Sequence, residues 1–535
     1  MKHLLVPGCT VLMTLVAACD RIPLDPIRDD GAGGGATGAG GAGGSGGAGG
    51  NGGAGGSGGA GGSGGAGGSG GAGGSDAVAG SGGAGAGGAV GSGDPLWSRH
   101  FAANPRQPHV WVGSRIAVDE PGNLVVATAV ADGVDFGDGP LSTGGSLVFS
   151  LARFDGEGEP LWHKEFPGSA YPRDVAVNQA GLIATAGTYY GTGVDFGGGL
   201  LVGQESDGDA FVAVFTADGD HVWSARIGVD GDQWADSLAM DAAGNVVVAG
   251  TFMGQISLCG ASLTSVGDID SFIAKFDPAG SCLWSKQLGY TEIHNVALDA
   301  SGSVVLAGSF GDYYAEAIDL GGGPLTTAGS EDIFVAKLDA AGEHVWSKRF
   351  GDEALQRAYG VAVDGAGNVV ISGTFLGSVD FGAGPLVSAG GYGPLEPGSV
   401  TWGGNAFVTK LNPAGELLWA KRLGQYGPQT ALDAAATVDG DIAITGLMYG
   451  DVDFGTGPMD CTYGDAFVAK LDATGTVRWV KHTGGREQQY GYSTAMDATG
   501  DVYAAGPFVG TIDFGTGPLV TPTSTRAIFL AKFGP

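Results

Sequence analysis

Seven tryptophans, Trp97, Trp162, Trp223, Trp284, Trp346, Trp419 and Trp479, each open a segment like Leu-Trp-Ser-Lys-x-Leu/Phe. Their successive spacings are 65, 61, 61, 62, 73 and 60 residues. A period near sixty residues, held across most of a 535-residue chain, constrains the fold more than any other feature. Each copy is too small to bury its own faces well, so it must bury them against its neighbours. A repeat architecture also resolves the size problem, because a stretch of about 440 residues exceeds what one hydrophobic core ordinarily serves.

Within a copy the order of elements is constant, and the fifth shows it. Gly360–Asp364 is followed by the turn to Gly367, then Asn368–Thr374, a Gly-rich connection, Ala406–Asn412, the turn Pro413–Glu416, and Leu418–Leu423. These are four short alternating or apolar runs rich in Val, Phe and Trp, which is the signature of strands. Asp-x-x-Gly recurs between the first and second runs, as at Asp119, Asp241, Asp299, Asp364 and Asp497, and between the third and fourth, as at Asp155, Asp277, Asp339 and Asp472. Asp bonds turn amides through its side chain, and Gly takes the positive φ of a tight hairpin. No helical periodicity of useful length is present. The expected fold is all-β: a seven-bladed β-propeller of four-stranded antiparallel blades occupying 95–535. The first copy supplies only an outermost strand, Leu96–Phe101, and the last ends after its third strand, Ala527–Phe533. Pairing the N-terminal strand with the last blade would close the ring and remove its exposed edges.

The pattern Val-Ala-Val-Asp-x-x-Gly-Asn-Val, Phe-Val-Ala-Lys-Leu-Asp-x-x-Gly and Trp-x-Lys resembles the bacterial SBBP-type β-propeller repeats and, more distantly, NHL repeats. The resemblance covers essentially all of 95–535. It implies a propeller in an extracytoplasmic setting and no shared activity, so function must be argued from a site.

Upstream, residues 1–18 have a short basic start and an apolar run ending Leu15-Val16-Ala17-Ala18-Cys19, which resembles the bacterial lipobox. The resemblance implies cleavage of a lipoprotein signal peptide (1–18) and lipidation of Cys19, a firm anchor in a membrane surface. Residues 19–94 are then a Gly/Ala/Ser-rich disordered tether, with unbroken Gly-Gly-X triplets from Gly40 to Ser75. Without imino acids to stiffen it, such a tract is a flexible coil rather than collagen, with a mean reach of about 45 to 50 Å. The expected address is the bacterial cell envelope, lipid-anchored and extracytoplasmic, at the outer membrane or cell surface.

A formal charge of -31 opposes polyanions, so nucleic acid is not an expected partner. Asp135, Asp195, Asp380, Asp453 and Asp513 stand in Val/Ile-Asp-Phe-Gly, and Asp319 in Ile-Asp-Leu-Gly, while the third copy has Ser257 instead. The favoured reading is a carboxylate that shapes its loop by accepting backbone bonds; repeated calcium sites are the minority view, and no other cofactor is expected. Lys470–Trp479 resembles the docking motif of quinoprotein propellers but is one residue short and lacks its Ala and Lys, so Trp479 is read as packing. Cys259 and Cys461 are expected in connections on one face and Cys282 in a hairpin on the other, so no disulfide is expected. His100, His163, His221, His344 and His482 fall in or beside outer strands, with no metal-binding pair on one element.

Symmetry supplies the filter for a site. Residues present in every blade are most simply structural, so recognition should lie where copies differ. On the face carrying the second-to-third connections and the links between blades, the differing residues are Arg106, His109, Trp111, Tyr171, Trp234, His294, Tyr359, Arg486, Tyr490 and Tyr492, with Tyr392, Glu396 and Trp402 in a longer connection of blade five. Exposed aromatics with few charges suit an extracytoplasmic protein or glycan. The expected function is a surface-anchored binding or scaffolding module. The alternative is a hydrolase or lyase at the mouth of the channel, which unique acids or a histidine converging there would favour.

Overall fold

In the computed structural model, which describes residues 92–535 apart from 103–113, 138, 145–146, 205–206, 267–268, 312–314, 390–403, 426 and 523–524, each copy of the repeat builds a four-stranded antiparallel sheet, and there are seven such sheets. No helix occurs among the described residues. Blade three is representative, running outward as Gln233–Met240, Val246–Phe252, Asp270–Phe276 and Cys282–Gly289. Its two middle strands are buried along their whole length, which requires both alternating faces to be packed. Val246, Val248 and Phe252 pack toward blade two, whereas Val247 and Ala249 pack toward blade four. The protein is therefore a seven-bladed β-propeller with a separate core between each pair of neighbouring blades.

The last sheet closes the ring as the phase of the repeat requires. Its order is Pro95–Ala102, Ala527–Phe533, Val502–Phe508, Ser493–Met496, with Trp97 opposite Lys532 and Phe101 opposite Ile528. Five of the seven repeated tryptophans hook one blade to the next by a hydrogen bond. Trp97 donates its indole N–H to the Gly156 carbonyl at 3.0 Å, and Trp162, Trp284, Trp346 and Trp419 do the same to Ala217, Ala340, Pro413 and Ala473. The ring lies so close to the hairpin glycine that a Cβ on Gly342 would stand 2.9 Å from Trp284.

A second repeated tie lies inside several blades. Asp364, from an Asp-x-x-Gly turn, accepts the Ala366 and Asn368 amides and pairs with Lys410 of the third strand at 2.9 Å. Lys410 also donates to the Gly440 carbonyl of the next blade. Burial by itself would raise the Asp364 carboxyl, but the bonds from Lys410 and Asn368 outweigh it and hold the group below the usual carboxylate range. Asp299 with Lys337 and Asp119 with Arg153 repeat the pair.

The connections between second and third strands depart from the sequence-level expectation. In blade three the connection folds into the hairpin Gln255–Leu258, Ala261–Thr264 and lies along the outer strand, where Gln287 donates to the Thr264 carbonyl. Its tip therefore reaches the start of that strand, and Cys259 is joined to Cys282 by a disulfide with Cα atoms 5.0 Å apart. The expectation that these cysteines lie on opposite faces is thus corrected. It treated the connection as confined to one face, whereas the connection runs down the blade edge. In several other blades the glycine of Asp-Phe-Gly or Asp-Leu-Gly makes the same approach without a covalent bond: a Cβ on Gly137 would meet Pro160, and one on Gly321 would meet His344. The loop carboxylates themselves accept backbone amides, Asp135 from Gly137 and Gly139 at 2.8 and 3.0 Å. Asp195, Asp319, Asp380, Asp453 and Asp513 repeat the arrangement. Blade three, which lacks that aspartate, pins its loop with the disulfide.

Candidate functional site: a polar cavity on the channel

The innermost strands build the site through a repeated irregularity. Those of blades two to six carry β-bulges that skip Arg173, Asp236, His294, Tyr359 and Leu432. Such a bulge brings the inner strand onto the second strand so closely that only glycine fits opposite it: a Cβ on Gly250 would stand 1.9 Å from the Trp234 carbonyl oxygen, and one on Gly308 1.9 Å from that of Glu292. Blade one has Thr128 in this place, and its inner strand Ser114–Val118 pairs without a register shift. A bulge re-aims side chains. Here four of the bulged residues, all but Arg173, and their neighbours border a cavity of about 150 Å³, lined among others by Arg115, Asp174, Asp236, His294, Tyr359 and Asp433.

The charged groups in its wall are held in place. Arg115 donates to the carbonyls of Arg173 and Tyr492, at 2.7 and 3.1 Å, so it spans blades two, one and seven. Asp174 accepts the Val175 and Leu238 amides and the Ser237 hydroxyl. Asp433 accepts the amides of Ala434 and Thr494 at 2.8 and 2.9 Å. Each of these acids ties its inner strand to the next one. Arg173 pairs with Asp236 at 3.2 Å, and Arg357 makes a two-point bond to Glu331 at 2.5 and 2.7 Å. His294 lies 3.8 Å from the Glu292 carboxylate, with its ring centroid 5.0 Å from that of Tyr359.

Burial dominates the electrostatics. It pushes the Asp433 carboxyl up to about 6, with the Asp174 charge adding to the rise and the Thr494 amide and Arg115 opposing it. Burial likewise raises Asp174 and Asp236 and lowers His294. The cavity thus offers donors, acceptors and rings at fixed positions that vary around the ring, with Asp174 and Asp433 alike in blades two and six. That arrangement can orient a small polar group.

Several residues singled out from sequence meet here. His294, Tyr359 and Tyr492 line the cavity, and Tyr490 stacks on Tyr492 with centroids 5.4 Å apart. Trp234 and Tyr490 are buried in the blade walls, at 2% and 5% exposure, rather than displayed. Tyr171 is half-buried and packs edge-on to Tyr190, and Arg486 is exposed. Cys19, Arg106, His109, Trp111, Tyr392, Glu396 and Trp402 lie outside the described residues. Sequence reasoning missed Arg115, Asp174, Asp236, Glu292, Arg357 and Asp433. The available signal was a charge interrupting the apolar first run of a copy a few residues before its first turn.

A seven-bladed propeller with an asymmetric polar cavity is thus the class of protein that fold and site define. No family model matches the chain. It is 26% identical over 158 residues to an uncharacterized WD repeat-containing protein of Acanthamoeba polyphaga mimivirus, covering 26% of this chain and 11% of that one. Among solved structures it is similar to the Dos1 propeller, with 10% identity, TM-score 0.37, and 82% and 94% of the two chains covered. It is also similar to puromycin hydrolase, with 10% identity, TM-score 0.42, and 79% and 54% covered. The β-propeller domain of the Trilobed protease from Pyrococcus furiosus gives 10% identity, TM-score 0.35, and 76% and 91% covered.

Proposed function

We propose that this protein is a surface-anchored binding module, an SBBP-type propeller lipoprotein whose channel cavity takes a small polar group presented by an extracytoplasmic protein or glycan. One observation carries the reading. The hooks and ties that hold the blades recur around most of the ring, whereas the bulged residues that line the cavity, Asp236, His294, Tyr359 and Leu432, differ from blade to blade. An oxidising compartment agrees with the Cys259–Cys282 disulfide, and the lipobox-like run ending at Cys19 with the Gly-Gly-X tether supplies the anchor.

The test is capture of cell-envelope glycans and proteins on the Cys19→Ser chain. His294→Ala with Tyr359→Ala should weaken capture by about 1 kcal/mol or more. Capture equal to that of the double variant, or none at all, would sink the reading. The anchor is tested apart from this: Cys19→Ser should free the protein from membranes and abolish acyl labelling, and retention without label on the native chain would refute it.

A second reading, a hydrolase or lyase, is favoured by the acids and histidine that converge on the cavity, Asp433 with a carboxyl near 6 among them. Against it, both oxygens of Asp174 and of Asp433 accept backbone amides or a hydroxyl of the wall. Turnover of a captured ligand, lost in Asp433→Asn while capture persists, would decide for the enzyme.

A further inference from the structure

Blade six differs from its neighbours at one place on the third strand. In blades three and four the aspartates there, Asp270 and Asp332, accept an amide from the residue four positions earlier, Val266 at 3.0 Å and Ala328 at 2.6 Å. Their outer-strand partners are Gln287 and Arg349, neither of them a metal ligand. In blade six the third strand is continuous over Met459–Leu471. The residue four positions before Asp465 is therefore a strand residue, and it offers a side chain, the thiol of Cys461. The outer strand offers His482, whose Nδ1 stands 2.9 Å from Asp465 Oδ2. One ligand atom from each of Cys461, Asp465 and His482 lies within 4.8 Å of the others, the only such grouping among the described residues.

Cys461 and Asp465 are buried, at 0% and 1% exposure. Asp465 Oδ1 has no hydrogen-bond partner, and an unsatisfied carboxylate oxygen in the interior is costly unless a cation meets it. The corresponding oxygens of Asp270 and Asp332 also lack a partner, but only blade six surrounds the position with a thiol and an imidazole.

The geometry points to a divalent transition-metal site at Cys461, Asp465 and His482, of a kind that takes Zn²⁺. A sulfur, an oxygen and a nitrogen ligand suit Zn²⁺ or Co²⁺, while Ca²⁺ and Mg²⁺ take oxygen ligands. As the metal–sulfur bond forms, the Cys461 thiol releases its proton to solvent. The His482 side chain is 31% exposed, so a fourth position opens toward water.

The experiment titrates the metal-free protein with Co²⁺ as spectroscopic probe and with Zn²⁺ as competitor. One Co²⁺ per chain should give a thiolate-to-cobalt charge-transfer band that Zn²⁺ displaces. Cys461→Ser should lose the band, and His482→Gln should bind at least about tenfold more weakly. His482→Gln guards against misfolding, because Gln287 stands at the same place in blade three. Zn²⁺ should raise the melting temperature of the native protein by more than that of either variant. Absence of the band from the native chain, a band that survives Cys461→Ser, or unchanged affinity in a folded His482→Gln would each overturn the proposal.

Discussion

The rim and the channel of this propeller are built from the same strands yet obey opposite rules. At the rim, Trp284, Trp346 and Trp419 meet a glycine and a carbonyl of the next blade in the same way each time. At the channel, the bulged position is filled by Arg173, Asp236, His294, Tyr359 and Leu432 in five successive blades. Repetition at the rim reflects a contact that every blade needs in order to bury its faces. Variation at the channel reflects side chains that face a shared cavity and need not resemble one another. The two regions also titrate in opposite senses: Asp364 of the framework is held low by Lys410 and Asn368 against its burial, while Asp433 of the channel is pushed up to about 6.

The comparison is broken most severely by opening the ring. Deleting Leu96–Phe101 exposes the edge of Ala527–Phe533 and should cost more than about 5 kcal/mol, beyond ordinary single substitutions. Deleting an equal length of the Gly-Gly-X tract should cost nothing measurable. Equal melting temperatures for the two deletions would show that the ends do not close the ring.

Removing one hook comes next. Trp284→Ala should lower stability by roughly 3 to 5 kcal/mol through lost packing on Gly342 and the lost bond to Ala340; a change under 1 kcal/mol in denaturant unfolding would deny the rim its role. The disulfide, whose cysteines stand 23 positions apart, should contribute about 3 kcal/mol. Cys282→Ser measured against the native protein tests this, and melting insensitive to the substitution would mean that the noncovalent contacts of the hairpin suffice.

The contrast is sharpened by pH. Asp433 binds its proton more tightly in the folded chain than at the unfolded value near 3.9, so its contribution favours the native state below about pH 4 and is lost as pH rises through about 6. Asp433→Asn should remove that downward slope. Asp364, with its carboxyl held low, stabilises above the unfolded value and loses this as pH falls through its lowered one, so its replacement by Asn should flatten the acid limb instead. Identical pH profiles for the two variants would erase the distinction between framework and channel. The smallest effect on stability should come from His294→Ala with Tyr359→Ala, within about 1 kcal/mol of the native protein because both side chains border a cavity. A loss as large as that from Trp284→Ala would make these residues part of the framework.

The sequence by itself determined the number of blades, the four strands of each, the turns and the closing strand. These follow from local alternation and from Asp-Gly turn chemistry, and both are written in consecutive residues. The loop-shaping role of Asp135 and its equivalents was legible for the same reason, since each carboxylate bonds amides two and four residues along. Only the tertiary structure decided which side chains meet across blades. Arg115 reaches Arg173 and Tyr492, and Asp433 meets the Thr494 amide, through a ring whose radius and bulges no single repeat specifies. Cys259 and Cys282 found each other because a connection folds down a blade edge, and Cys461, Asp465 and His482 because a strand runs on where its counterparts turn. Such contacts depend on how elements pack in three dimensions, and periodicity along the chain does not encode that distance.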